Sequence, residues 1–507
     1  DGRDEVYRGQ NSIWDAVLDS DPTPDTGTVP FAIDAQGRHF ALANKRGTAA
    51  LYAWDLAAGE TTEIFRDSVS DIDDHITTWG GRELLAVRAD PGFPTWHYLN
   101  EASPFAGLHK ALRAAFPDSD VGVTSLTRDG AEVVVRVHND RNAGDFYIVN
   151  SKTRDSELLA QSRPDVPADS LAAMEPLTLE SRDGFTLRGY LTTPQSASTP
   201  HPLVVIVHDD PYSSRATWAL NAEVQLLAAR GYAVLQLNYR GSGGLGQYYT
   251  LSGNERDGRI VQRDIADAAR WAVEQGITAE GQICIMGRGY GGFAAVKGTI
   301  DNVGLFTCAV GVGGFYDLSS DFTLPESPIL TPQLLLATPV ALDTVDPNRS
   351  PLARAARVDA AVMLVGGDSQ TLPMRDALQA AGKTVVWHEG DGKPEDYAAI
   401  LAFLGSQLKG EAVKTEAPVA GFGASLNDRQ RREFQRIVAD MGADVEQLSG
   451  RRAASASAVR REIRKIIDAR DRQVRALVDD AQWALYPEFK PGLAERLASD
   501  VDIIQLR

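Results

Sequence analysis

The sequence predicts an α/β protein: a parallel sheet covered by helices, with a β-rich segment before it and a helical hairpin after it. Three observations carry this. Between residues 202 and 408, continuous apolar runs alternate with amphipathic stretches, the pattern of a parallel sheet buried on both faces. Before about residue 165, short alternating runs are separated by turn residues. After residue 425, apolar side chains recur at helical spacing.

The chain has 507 residues, enough for about two to four domains. Its hydrophobic and charged fractions, 43% and 24%, are those of an ordinary globular protein. A net charge of −18 argues against nucleic acid as a partner. No run of about 18 apolar residues is present, so no membrane-spanning helix is expected. The two cysteines, Cys284 and Cys308, fall inside predicted strands and are expected to be buried free thiols, because a chain of this size needs no disulfide staple. No cofactor is expected.

Along the first 171 residues the predicted strands are 39–44, 49–55, 61–67, 83–89, 132–140 and 145–150, with turns at Asp34–Gly37 and Asp129-Gly130. A pattern of the form DGxxhhhh…LYxxDxxxG recurs around 34–64 and 128–159, the texture of propeller blades. Two or three blades can be counted, fewer than the four a closed ring needs, so a shortened propeller-like domain is expected.

From residue 172 the pattern changes. Leu177–Leu179 and Thr186–Leu191 flank Asp183-Gly184 as a hairpin. Buried strands are expected at 202–210, 233–240, around Cys284, and at 308–313, 361–367 and 383–390. Helices are expected at Ala222–Arg230, Asp264–Gly276 and Tyr397–Leu408. Residues 410–424 read as a small-residue linker. A helix over Leu426–Met441 and a longer one from Ala453 to Tyr486, ended by Pro487, make up the hairpin. The outer face of the longer helix, with Arg460, Arg461, Arg464, Lys465, Arg472 and Arg475 among acidic residues, reads as a solvated surface or a docking face for an acidic partner. The expected domains are therefore 1–171, 172–409 and 425–507, with 410–424 as linker.

The stretch Cys284–Ala295, CIMGRGYGGFAA, is an apolar strand, a glycine-rich turn and a small-residue helix start. Strand, G-x-S-x-G turn and helix form the nucleophile elbow of an α/β-hydrolase. In this chain Gly289 stands where the serine belongs.

Further stretches occur in one order: MEPLTLESRDGFTLRGYLTTP (174–194), VIVHDDP (205–211), GYAVLQLNYRGSGGLG (231–246) and ICIMGRGYGGFAA (283–295). Residues 172–408 thereby resemble the catalytic domain of the prolyl oligopeptidase family of serine peptidases, in particular its acylaminoacyl- and dipeptidyl-peptidase-like bacterial members. The resemblance implies a serine nucleophile, a histidine base and an aspartate that orients it. Carried over position by position, the nucleophile is Gly289, the aspartate position falls on Ser369 beside Asp368, and the histidine of E-G-H-G-F is replaced by Asp391. The family's H-G-G-P oxyanion loop has become His208-Asp209-Asp210-Pro211, so that Tyr290 supplies the remaining backbone donor beside two carboxylates. At about 5 Å a screened like-charge contact costs on the order of 1–3 kcal/mol, against the chemistry.

Three readings follow. The first is a pseudopeptidase that binds a peptide or protein, or serves as an assembly subunit, with Tyr212, Trp218, Tyr239, Arg240, Arg288 and Tyr290 around its cleft. The second is an active serine-type peptidase or esterase with displaced residues, His388 acting as base and Asp368 orienting it. The third is a cation site made by Asp209, Asp210, Asp368 and Asp391, where strand ends converge. Homo- or hetero-oligomers are compatible with all three. The first residue, Asp1, is not methionine, and this, with the kinds of relatives, leads to an expected location in the periplasm or outside the cell, the cytoplasm being the alternative.

Overall fold

The structure, a computed structural model, describes residues 5–10, 13–19, 30–33, 38–44, 47–55, 60–79, 83–195, 199–210, 214–253, 258–317, 350–367, 370–408 and 456–479, with single positions between 430 and 437 and at 483 and 486. Residues up to Glu411 form one compact unit and those from Ala412 a second.

The front of the first unit is built of antiparallel meanders. β1 (Glu5–Gln10) pairs with β2 (Ile13–Asp19). β3 (Pro30–Ile33), β4 (His39–Ala43), β5 (Ala50–Asp55) and β6 (Glu60–Phe65) form one sheet in chain order, and β7 (Ile72–Thr77), β8 (Leu84–Ala89) and β9 (Thr95–Tyr98) another. After helix α1 (Pro104–Ala115) come β10 (Asp120–Leu126), β11 (Glu132–His138), β12 (Asp145–Asn150) and β13 (Ser156–Gln161), again in order. β11 shows why these runs are strands: Val133, Val135 and Val137 are buried and the residues between them are not, a period of two. Helix α1 starts where it does because Ser103 accepts a hydrogen bond from the Ala106 N–H and Pro104 follows at the first turn.

The remainder is one eight-stranded sheet among the described residues. Its strands are β14 (Met174–Glu180), β15 (Thr186–Thr192), β16 (Leu203–Val207), β17 (Ala233–Asn238), β18 (Ile283–Arg288), β19 (Cys308–Val312), β20 (Ala361–Val365) and β21 (Val385–His388), in the spatial order 14-15-17-16-18-19-20-21. The first two are antiparallel and the rest run parallel from β17 onwards. Helices α2 (Ala222–Ala228), α3 (Gln247–Ser252), α4 (Arg259–Glu274), α5 (Tyr290–Asp301), α6 (Thr371–Ala380) and α7 (Tyr397–Leu408) connect or follow them. Alternate residues feed two cores. Leu203, Val205, Ile283 and Ile285 pack with α4 and α5, while Val204, Met286 and Val310 pack with α2 and α7. Both faces are therefore covered, which is why these strands read as unbroken apolar runs. The chain leaves β16 for β17 on one side and returns to β18 on the other, so a crevice opens at the carboxyl ends of these strands. This is the α/β-hydrolase architecture expected, behind a β-rich front.

The cysteine expectation is corrected. Cys284 on β18 lies directly opposite Cys308 on β19, 4.6 Å apart at Cα, and the two form a disulfide. Adjacent parallel strands bring facing residues within bonding range, and two cysteines inside separate apolar runs gave no sign that they would face each other.

Front and sheet are tied within the unit. The Arg215 guanidinium donates to Asp73 (3.2 Å) and to the Asp90 and Gly244 carbonyls, the Tyr190 hydroxyl donates to the Gly92 carbonyl, and the Met174 N–H donates to Asp140 (2.7 Å). In the second unit, α8 (Ala456–Leu477) buries Ile467 and Val474 and exposes Lys465, Arg472 and Arg475. Gln430 donates to its Leu477 carbonyl. α8 ends at Leu477, and further on Trp483, whose N–H donates to the Asp479 carbonyl (2.9 Å), and Tyr486 are again helical; the other residues from 480 to 485, most of the expected first helix, 426–441, and the linker lie outside the described residues.

Candidate active site

β18 turns into α5 through Gly289, whose backbone, φ 49° and ψ −116°, lies in a region that side chains avoid. The turn is tight because the strand and helix glycines let the backbones touch: a side chain at Gly291 would run into the Val207 carbonyl. At Gly289 itself there is room. A Cβ built there would stand 3.6 Å from Cβ of Asp209, an ordinary contact. The elbow keeps its shape, its tip is bare backbone, and Asp209 lies over it.

The loop that carries Asp209 is held from behind by His208. The imidazole Nδ1–H donates to the Asp210 carbonyl (2.7 Å), the Tyr239 ring stacks on it, and Nε2 accepts from the Ser242 hydroxyl (3.0 Å). Burial pushes the His208 imidazole down to about 4, so it is neutral near pH 7. One nitrogen is engaged by its own loop and the other by Ser242; this histidine positions the turn.

On the opposite side of the elbow, Arg288 donates through Nη2 to the Gly392 carbonyl and to the Tyr397 hydroxyl (2.8 Å). Tyr397 in turn donates to Glu223 Oε1. Burial, and then the Glu223 carboxylate, push the Tyr397 phenol up to about 12, so it remains a donor. Gly392 belongs to the turn that follows β21. That turn is gathered around one carboxylate: Asp396 accepts the N–H groups of Asp391 (3.1 Å), Gly392 (2.7 Å) and Lys393 (3.1 Å), and pairs with His388 Nε2 (2.8 Å).

Between the elbow, the Asp209 loop and the start of α2 lies a cavity of about 390 Å³. Ile206, Val207, Leu220 and Leu237 supply apolar surface, and Arg288, Glu223, Gln236 and Arg215 supply polar groups. This is the size range of a small-molecule site.

The expected site residues divide accordingly. Gly289, Asp209 and Tyr290 meet at the elbow, with Asp210 one residue on from Asp209. Asp391 is exposed and paired with Lys393 (2.6 Å), which draws its carboxyl below the usual range. Ser369, Asp368 and Tyr212 lie outside the described residues. Of the remaining cleft candidates only Arg288 lines the cavity. Trp218 packs edge-on against Phe93 and donates to the Met174 carbonyl; Tyr239 is fully buried under His208. Arg240 is corrected from cleft to core: it is buried in a fork with Asp264 (3.0 Å) and Asp183 (2.8 Å). His388 pairs with Asp396; the expected orienting residue, Asp368, lies outside the described residues. No group of three potential metal ligands occurs among the described residues, so Asp209, Asp210 and Asp391 do not assemble into the proposed cation site there. Glu223, Gln236, Tyr397 and Asp396 were not anticipated. The acid at the second position of α2 and the tyrosine opening α7 had no local pattern linking them.

Comparison with known proteins decides the lineage. The pattern of the prolyl oligopeptidase family matches residues 218–409. These residues are a prolyl oligopeptidase family domain. Among curated relatives, dipeptidyl aminopeptidase BIII of Pseudoxanthomonas mexicana is 32% identical over 330 residues, 63% of this chain and 47% of that protein. Dipeptidyl peptidase family member 6 of Caenorhabditis elegans is 27% identical over 280 residues, 50% of this chain and 38% of that one. The chain thus spans less than half the length of these two prolyl oligopeptidase relatives. Among solved structures, a puromycin-hydrolyzing peptidase of Mycobacterium tuberculosis superposes with a TM-score of 0.60 at 20% identity, covering 78% of this chain and 63% of that one. An acylaminoacyl peptidase of Pyrococcus horikoshii gives 0.54 at 17%, with 80% and 67% covered. At these identities the likeness is one of fold, and it includes the β-rich front.

Proposed function

We propose that the protein is a non-catalytic member of this peptidase lineage that binds a peptide-derived ligand beside its former elbow. One observation carries the reading: Gly289 occupies the tip of the turn, and a glycine has no atom with which to attack a carbonyl. Two further features support it. An aspartate, Asp209, stands in the loop against the turn, its Cβ 3.6 Å from where a side chain on Gly289 would begin, where the oxyanion loop of the resemblance has a glycine. Asp391, at the histidine position, faces solvent on a salt bridge.

The competing reading, hydrolysis by displaced residues, draws on the His388–Asp396 pair, which has the spacing of a base and its orienting acid. A fluorophosphonate probe and short peptidyl-nitroanilides separate the two. The binding reading expects no covalent label and no turnover above buffer; a labelled serine or measurable release of nitroaniline overturns it. A location outside the cytoplasm is supported by the Cys284–Cys308 disulfide, a bond that persists in oxidising compartments. Differential alkylation of protein taken directly from cells would report both thiols if the location is cytoplasmic.

A further inference from the structure

The cavity beside the elbow carries opposite charges at a fixed spacing. Arg288 and Glu223 are joined through one hydroxyl, that of Tyr397, so a guanidinium nitrogen and a carboxylate oxygen stand two hydrogen bonds apart, at most about 5 Å. Both line the cavity. Ile206, Val207 and Leu237, which also line it, are apolar.

We infer that this cavity binds a free α-amino acid with an apolar side chain, its carboxylate on Arg288 and its ammonium on Glu223. An α-amino acid holds its own two charges about 3 Å apart. Laid antiparallel to the Arg288–Glu223 pair, each charge then lies within one hydrogen bond of its opposite. The guanidinium offers five donors, and the two bonds named above both come from Nη2. A volume of about 390 Å³ takes an amino acid with a medium-sized side chain and its water, and the charge pattern needs both ends free. A residue blocked at one end satisfies only half of it, and an internal peptide residue satisfies neither half. The inference rests on the binding reading proposed above and narrows its ligand from peptides in general to their terminal product.

Isothermal titration of the full chain with L-leucine, N-acetyl-L-leucine, L-leucinamide and a leucine-containing octapeptide tests this. The expected result is saturable one-to-one binding of L-leucine, with each blocked analogue weaker by about tenfold or more. Arg288→Gln should abolish the preference for leucine over leucinamide, and Glu223→Gln the preference over N-acetyl-leucine. The inference is overturned by absence of saturable leucine binding, by analogues that bind as well as leucine, or by an octapeptide that binds while leucine does not. The wild-type analogue series decides the matter even if a variant fails to fold. Failure of the non-catalytic reading is recognised separately, by fluorophosphonate labelling.

Discussion

His208 sits under the elbow with both ring nitrogens bonded, and its neutrality is a condition of the loop's shape. Burial lowers its pKa from the ordinary 6.5 to about 4. Between these values the unfolded chain binds a proton that the folded chain refuses, so stability falls as pH drops from 6.5 to 4 and changes no further from this group outside that window. The expected loss is about 3 kcal/mol. Denaturant titrations at pH 7, 5.5 and 4 should show it, and His208→Gln, less stable overall, should lose that part of the slope. An unchanged slope in the variant would mean the imidazole is not the responsible group. This residue was visible as the head of the His208–Pro211 loop, but its bonding was not, because Ser242 and Tyr239 come from a segment more than 30 residues away.

Elements were legible where burial imposes a simple period. The strands β16 to β20 stand out because neighbours pack against both faces, and β11 because one face does. β7, Ile-Asp-Asp-His-Ile-Thr, escaped notice because only its two isoleucines are buried and three polar residues lie between them. Helix α6 was missed because Pro373 falls in its first turn, where proline is tolerated, and its surface is polar. The disulfide between β18 and β19 belongs to this scale also. It closes a segment separated by 24 residues that includes all of α5, and so pins the elbow strand to its neighbour. Unfolding under reducing conditions should be easier by about 3 kcal/mol, and Cys284→Ala with Cys308→Ala should reproduce the shift without reductant. Identical midpoints with and without reductant would show that the bond adds nothing.

For the molecule as a whole, Arg215 is one of the contacts that tie front to sheet. Its side chain is 10% exposed and holds Asp73 and the 5%-exposed Asp90. Arg215→Ala leaves Asp90 buried without its counter-charge, an expected loss of about 3 kcal/mol, with the front unfolding before the sheet in a calorimetric scan. A single unshifted transition would contradict this. The wiring of the candidate site was hidden in the sequence for a related reason: Glu223 and Tyr397 are 174 residues apart, and only the finished fold joins them. The Asp396 clamp carries a consequence for anyone wishing to re-arm the protein. Three main-chain amides grip that acid, so the backbone at position 391 is aimed outward whatever side chain it bears. Gly289→Ser with Asp391→His would restore the letters of nucleophile and base and leave the new imidazole pointing into water. Ester cleavage by that double variant is expected to stay at background, and a return of activity would mean the knot around Asp396 can be untied by substitution alone.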